Sequence, residues 1–342
     1  MKALTILVVG TCAMTPCLCA QQRAASLTNS LKSTDKVELT LSRAQLQHPA
    51  KCDAVGNVYA RPIDITLSGP KAARELRDAP IRQITPKGNV AAAFGPTEAL
   101  QDAKEWGIFV NNSGDVYRAA SAHGSVYVVE FSKDGSPKSM AELLGTPTHV
   151  DPWHLVVFPS GRFLLSGESG KNARTPYTAV FEANGKLVRE IYEPEDENAR
   201  SRAEMGDTDF ARAAVGNLFV HRGDATLGSD GNAYLLHSTS PALIYVISPA
   251  GEVIRKLRVD AGDSVRKLGS IKSYAGKLAI SFEEFGHVRV YVTDLEGNSI
   301  ATYSMGTEKS DALDLACYDS WGFTFVSSDA GNNLYLIKAQ PE

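Results

Sequence analysis

Seven polar side chains stand beside the start of short β-prone segments that recur along the chain, and together they could bind a ligand. They are His48, Trp106, Asp151, His154, Asp224, Arg266 and Asp314. Carboxylate oxygens are the ligands that a divalent cation such as calcium prefers. Charged and aromatic side chains can instead hold an organic ligand. Each residue taken singly could equally be part of a solvated lining, and the run from His149 to His154 has no spacing typical of a metal site.

The recurring segments begin with glycine-centred turns, each followed by a β-prone stretch. These turns are centred on Gly56, Gly114, Gly161, Gly231, Gly276 and Gly322. Their successive spacings are 58, 47, 70, 45 and 46 residues, and the two longest spacings coincide with polar insertions. An internal period of about 45 residues is typical of the blades of a β-propeller.

A second glycine turn follows the first in most units, at Gly88, Gly135, Gly185, Gly251 and Gly297. Glycine accepts the positive φ that a tight hairpin requires, so two such turns give two hairpins per unit. The pattern predicts an all-β fold, a six-bladed β-propeller built from four-stranded antiparallel blades. A β-sandwich is the alternative, but it does not predict so even a period.

The sixth unit ends without a fourth strand, and the segment 36–41 ("KVELTL") offers a spare one. Pairing this N-terminal strand with residues 333–338 would complete the last blade, close the ring and remove an exposed sheet edge. The sequence therefore divides into a signal peptide (1–20), a flexible segment (21–35) and the propeller (36–342).

The signal peptide is predicted from its layout, in which one positive charge at Lys2 precedes a short apolar run and small residues around Ala20. We therefore expect an exported protein, periplasmic or secreted. Its removal leaves 34 basic and 39 acidic residues, and this mild acidity without a basic cluster argues against nucleic acid as a partner. No later segment is long and apolar enough to be a transmembrane segment.

Two cysteines, Cys52 and Cys317, remain after the signal peptide. They lie four and five residues before the first-turn glycines of units one and six, which a closed ring makes neighbours. A disulfide across this seam and a pair of buried free thiols are both open.

Long insertions fall only between the second and third strands of a blade, or between blades. In a propeller both kinds of connection open on the same face, so one face carries the loops. Long loops on a rigid scaffold are common binding sites, although they can also be solvated insertions without a role. The loop-rich face, together with the polar side chains at the channel mouth, is therefore the predicted ligand site.

The phrases "CDAVGNVYARP" and "SDGNAYLLHS", followed by "ITPKGNV" and "IYVISPAGEV", resemble six-bladed propellers of the NHL and TolB-like superfamily, especially uncharacterised exported bacterial propeller proteins. Relatives with this ring include calcium-dependent lactonases, amidating lyases and binding modules. The Glu-Gly-Pro phrase of the lactonases and the tryptophan motifs of quinone-dependent propellers are missing here. The resemblance thus implies a ring but carries over no metal ligand and no quinone.

The sequence favours an exported binding module that takes a protein, peptide or glycan on its loop-rich face, with no catalysis and no cofactor. The alternative is a metal-dependent hydrolase or lactonase, with a divalent cation at the channel mouth that activates water. No motif of a nucleophilic hydrolase, zinc protease or nucleotide-binding loop is present.

Overall fold

The computed structural model describes residues 28–39, 41, 44–46, 49–95, 97, 100, 103–170, 175–192, 218, 220, 223–238, 241–259, 269–284, 286–306, 312–329 and 331–342. Within these ranges, the side chains of residues 44, 45, 76, 77, 104–106, 283, 284 and 312 are not described. Of the predicted site residues, His48 and Arg266 therefore lie outside the described residues.

The first elements in chain order are β1 (Thr28–Glu38), β2 (Ala44–Leu46), β3 (Lys51–Cys52), β4 (Val58–Ala60), β5 (Pro62–Asp64), α1 (Gly69–Asp78), β6 (Ile81–Ile84), β7 (Val90–Phe94), β8 (Lys104–Val110), β9 (Val116–Ala122), β10 (Ser125–Phe131), β11 (Pro137–Leu143), β12 (Val150–Val157) and β13 (Phe163–Ser169). They continue with β14 (Thr175–Phe181), β15 (Leu187–Glu190), β16 (Ala225–Leu227), β17 (Ala233–His237), β18 (Ala242–Ile247), β19 (Val253–Val259), β20 (Gly269–Tyr274), β21 (Lys277–Glu284), β22 (His287–Asp294), β23 (Ser299–Gly306), β24 (Ala312–Asp319), β25 (Gly322–Ser328) and β26 (Leu334–Pro341).

The described strands form a propeller-like ring of sheets, which confirms the predicted all-β class. Four sheets have four strands each, in the orders β3-β4-β6-β7, β8-β9-β10-β11, β12-β13-β14-β15 and β16-β17-β18-β19. One eight-stranded sheet has the order β20-β21-β22-β23-β1-β26-β25-β24, and β2 pairs with β5 in a small separate sheet. The topology thus gives four separate four-stranded sheets and one larger sheet.

The innermost strands line the centre of the ring. They contact each other in the cyclic order β3, β8, β12, β16, β20, β24 and back to β3. Buried apolar clusters lie between successive sheets around the ring, because each sheet has an apolar inner surface to cover. A ring of this kind leaves a central channel bordered by the innermost strands.

The N-terminal strand β1 closes the last sheet, as the sequence predicted. It pairs antiparallel with β26, with Lys36 opposite Ile337 and Glu38 opposite Tyr335. Its first residues also pair in parallel with β23, at Thr28 to Ser30. Residues 28–30 are therefore strand through β23, and residues 31–35 through β26. The strand β1 thereby covers the outer edges of both β26 and β23.

At the turn of the first unit, an aspartate side chain holds the backbone in place. The Asp53 carboxylate accepts hydrogen bonds from the backbone N–H of Asn57 (2.9 Å), from its side-chain amide (2.8 Å) and from the Tyr59 hydroxyl (3.0 Å). The same residue types repeat this arrangement after Asp329, at the same spacing. The Asp, Asn and Tyr of the phrase "CDAVGNVYA" therefore stabilise the turn through side-chain hydrogen bonds.

A helix was not expected in the insertion between the second and third strands of the first unit. Residues 69–78 nevertheless form α1, which begins with a proline in its first turn, a position where the missing N–H costs nothing. In the described part of the chain, no helix has the length and apolar character needed to cross a bilayer.

Candidate functional site

A cluster of polar and charged side chains crosses the central channel. We call it the channel cluster, and it consists of Lys51, Asp224, Ser270, Lys272 and Asp314. Lys51 opens β3, Asp224 directly precedes β16, Ser270 and Lys272 lie on β20, and Asp314 lies near the start of β24. Four of the five lie within the first four residues of innermost strands, and Asp224 immediately precedes one. The insertion that contains α1 joins the second and third strands of its sheet, so it opens at the end of the ring where the innermost strands begin, and the cluster lies toward that end of the channel.

Asp224 is the centre of the channel cluster and is 1% exposed. One carboxylate oxygen accepts hydrogen bonds from Lys51 Nζ and from the N–H of Ala225 (2.8 Å). The other accepts from Lys272 Nζ (2.6 Å) and from the N–H of Ile271 (3.2 Å). A carboxylate has about four lone-pair sites, so the acceptor capacity of Asp224 is filled.

The pair of Lys51 and Asp224 spans the ring. Their strands, β3 and β16, are three places apart in either direction around the cycle of innermost strands, so they face each other across the channel. Lys51 Nζ also donates to the carbonyl oxygen of Ala225 (2.7 Å). Lys272 comes from β20, next to β16, and joins the same carboxylate. Three innermost strands are thereby connected through one buried side chain.

Asp314 connects its own strand, β24, to β3 and β20. Its carboxylate accepts a hydrogen bond from the N–H of Ala50 (2.7 Å), just before β3, and another from the hydroxyl of Ser270. Ser270 and Lys272 are two residues apart on β20, so they point to the same side of that strand. The two predicted residues Asp224 and Asp314 are therefore brought together by β20.

Burial and mutual attraction shift the ionisation of this cluster. Burial raises the pKa of Asp224, but the attraction and hydrogen bonds of Lys272 and Lys51 outweigh it and hold that pKa well below its ordinary value. Burial lowers the pKa of Lys51, against the attraction of Asp224. Burial also raises the pKa of Asp314, more than Lys272 and the bond from Ser270 lower it. Two buried lysines thus share one carboxylate, whose pKa they hold low.

Cys52 and Cys317 form a disulfide beside the cluster. Their Cα atoms are 5.3 Å apart, and the bond closes a sequence separation of 265 residues. It joins β3 to β24, the strands that carry Lys51 and Asp314. The bond therefore fixes the seam at which the ends of the ring meet, and with it two of the charged side chains.

The channel cluster as defined above does not include the other five predicted site residues. Asp151 and His154 are on β12, opposite Glu168 and Ser166 of β13, and β12 faces β24 across the ring. Trp106 has a described backbone in β8, but its side chain lies outside the described residues. The structure thus assembles two of the seven predicted residues into one cluster.

Sequence reasoning missed both lysines and Ser270. Lys51 lies next to Cys52, and Lys272 is a charged residue in a strand that is buried over its first four residues. Charged residues are rarely buried unless paired, so a lysine at an innermost-strand position was the available signal. Within the described residues, no group of three or more His, Cys, Asp and Glu side chains is arranged to hold a metal ion.

No protein-family model matches the sequence, and a comparison with curated protein sequences found no match. Solved structures with a similar fold include virginiamycin B lyase from Staphylococcus aureus, at 14% identity and a TM-score of 0.51, with 90% of this chain and 99% of that chain covered. A gluconolactonase from Xanthomonas campestris matches at 10% identity and a TM-score of 0.50, over 90% of this chain and 99% of that one. The major allergen of Malassezia sympodialis matches at 11% identity and a TM-score of 0.51, over 90% and 96%. At such identities the similarity shows the propeller fold alone.

Proposed function

We propose that this protein is an exported six-bladed propeller of the NHL and TolB-like kind that binds a protein, peptide or glycan at the loop-rich end of its channel. The single observation that carries the proposal is the convergence of Lys51, Asp224, Lys272 and Asp314 at that end. Charged groups that meet from several rigid strands form a preorganised site, and preorganised polar groups in a concave site give a ligand its orientation.

The count of six blades rests on how the eight-stranded sheet is built. Its two halves, β20 to β23 and β24 to β26 with β1, each have the four-stranded order of the other sheets. Only the short parallel pairing of Thr28–Ser30 with β23 joins them. Counting each half as one blade gives one innermost strand per blade in the closed cycle.

Export is supported by two features of the chain. Residues 1–20 have the layout of a signal peptide, and the disulfide between Cys52 and Cys317 is of a kind that persists in oxidising compartments. We infer that the mature propeller functions outside the cytoplasm.

The bonding of Asp224 favours binding over metal-dependent hydrolysis at this cluster. A divalent cation at Asp224 would have to displace two ammonium groups and two backbone N–H groups from its oxygens. The alternative, a hydrolase or lactonase with a metal at the channel mouth, would therefore need ligands other than Asp224. Measuring the metal content of the purified protein distinguishes the binding module from the metal-dependent enzyme.

Thermal-shift screening with variants at the two ends of the ring tests the proposed location. The mature protein, a Lys272→Met variant and a Trp321→Ala variant would be screened against peptides, oligosaccharides and small organic acids. Trp321 is 78% exposed in the turn between β24 and β25, at the other end of the ring, and is the matched control. We expect a ligand to raise the thermal midpoint of the wild type and of Trp321→Ala but not of Lys272→Met. Loss of the shift in Trp321→Ala alone would contradict the proposal.

A further inference from the structure

We propose that the ligand presents an anionic oxygen group, a carboxylate or a phosphate, to Lys272 and Lys51 in the channel cluster. This inference rests on the proposed function, since it specifies what the loop-rich end of the channel binds. It follows from the numbers of hydrogen-bond donors and acceptors that the cluster has left.

The lysines have donors to spare. An ammonium group carries three N–H donors. Among the described residues, Lys51 Nζ donates to Asp224 and to the Ala225 carbonyl, and Lys272 Nζ donates to Asp224. One donor of Lys51 and two of Lys272 are therefore available for a further acceptor. Lys272 is 7% exposed, so few bulk water molecules can satisfy it.

The acceptors of the cluster are mostly used. Asp224 is filled by its four donors, and both oxygens of Asp314 already accept a hydrogen bond. A cationic ligand would meet two ammonium groups and find no free oxygen on Asp224. A group that brings acceptor oxygens suits the remaining lysine donors, so the cluster favours an anion over a cation.

The balance of charge supports the same ligand. Lys51 and Lys272 share the Asp224 carboxylate, and burial holds the pKa of Lys51 below its ordinary value and that of Asp314 above its own. An added negative charge beside Lys51 would favour its ammonium form and so stabilise the cluster. The side chain of Lys51 is 11% exposed, against 8% for that of Lys272 and 1% for that of Asp224, so Lys51 is the most accessible of the three.

Four probes test the inference on the mature protein: succinate, inorganic phosphate, neutral succinamide and the diamine putrescine, all at one ionic strength set with sodium chloride. We expect succinate, phosphate or both to raise the thermal midpoint, and succinamide and putrescine not to. Succinate alone identifies a carboxylate ligand and phosphate alone a phosphate ligand. An equal shift with succinamide, or a shift with putrescine only, would overturn the inference.

The matched variants are Lys272→Met and Lys138→Met. Each removes a lysine that is bonded to a carboxylate, but Lys138 pairs with Glu130 on the exposed surface. We expect the affinity for the effective anion to fall about 10- to 100-fold in Lys272→Met, the effect of one hydrogen bond to a charged group, and to stay unchanged in Lys138→Met. Equal affinities in the two variants would contradict the site.

A measurement on the wild type covers the case in which Lys272→Met does not fold. Acetic anhydride would be added with and without succinate or phosphate, and the acetylation rates of Lys51 and Lys138 would be followed by mass spectrometry. We expect the anion to slow the acetylation of Lys51 and to leave that of Lys138, whose side chain is 60% exposed, unchanged. Equal rates at Lys51 with and without both anions would overturn the inference.

The two proposals fail in different ways. A neutral ligand whose shift is lost in Lys272→Met would retain the proposed function and overturn the anionic inference. A ligand whose shift is lost in Trp321→Ala alone would overturn both.

Discussion

Replacing Asp224 by asparagine should strongly destabilise the protein. The substitution removes the negative charge shared by Lys51 and Lys272 and turns an amide group toward them. Asp224 is 1% exposed, so the lysines would lose a buried counter-ion. Breaking a buried ion pair by removing one partner costs about 3–5 kcal/mol. We therefore expect the free energy of unfolding, from urea titration followed by circular dichroism, to fall by about that amount with an unchanged m-value.

A double-mutant cycle with Lys51→Met tests whether the loss comes from the ion pair. If Asp224→Asn destabilises the protein mainly by leaving Lys51 without a counter-ion, Lys51→Met should relieve part of the loss. The double variant should then lose at least about 1 kcal/mol less free energy of unfolding than the two single variants lose together. The control is Glu252→Gln, which removes the partner of Arg189 in an exposed pair and should cost at most about 1 kcal/mol. A cost below about 1 kcal/mol for Asp224→Asn, or strict additivity in the cycle, would refute the reasoning.

Three further predictions concern the seam, the turns and the pH dependence. Without reduction, the mature protein should contain no thiol that reacts with an alkylating reagent, and two alkylated thiols in mass spectrometry would contradict the disulfide. Replacing Cys52 and Cys317 by serine should lower the free energy of unfolding by up to about 5 kcal/mol in the chain-entropy model. Gly185→Ala should lower the free energy of unfolding, measured by urea titration, by at least about 2 kcal/mol more than Gly231→Ala. Both glycines have a positive φ, but only at Gly185 would a Cβ lie 1.8 Å from a backbone oxygen. Equal losses in the two variants would contradict this reasoning. As the pH falls from 5 toward 2, the free energy of unfolding should fall faster for the wild type than for Asp224→Asn. An aspartate in the unfolded chain has a pKa near 3.9, whereas the pKa of Asp224 in the folded protein is lower, so protonation favours the unfolded state. Parallel plots of unfolding free energy against pH would contradict the lowered pKa.

The ring and its closure could be predicted because they depend on local and repeated signals. The glycines at the turns adopt the positive φ that their spacing suggested, as at Gly56 and Gly88. The spare strand at 36–41 was assigned to the correct partner because the last unit visibly lacked one. The helix α1 was not predicted from the sequence. Its start is marked by a proline directly after Gly69, and the Gly-Pro pair is also common in loops.

The site could be predicted only in part because its contacts are distant in sequence. Asp224 and Asp314 were found as carboxylates near strand starts. Lys51 lies 173 residues from Asp224 and meets it only because the closed ring sets β3 opposite β16. The position of Lys272 on an innermost strand indicated a buried, paired lysine, but nothing in the sequence identified Asp224 as its partner. Across-ring contacts of this kind require the three-dimensional arrangement.

The most direct test of the central claim is the metal content of the purified mature protein, with its thermal midpoint before and after a chelator. A binding module whose channel carboxylate is held by Lys51 and Lys272 predicts no near-stoichiometric divalent ion and no change in the midpoint. A tightly bound ion whose removal lowers the midpoint is the linkage expected of a specific metal site. That result would contradict the account and direct the search to hydrolase and lactonase substrates.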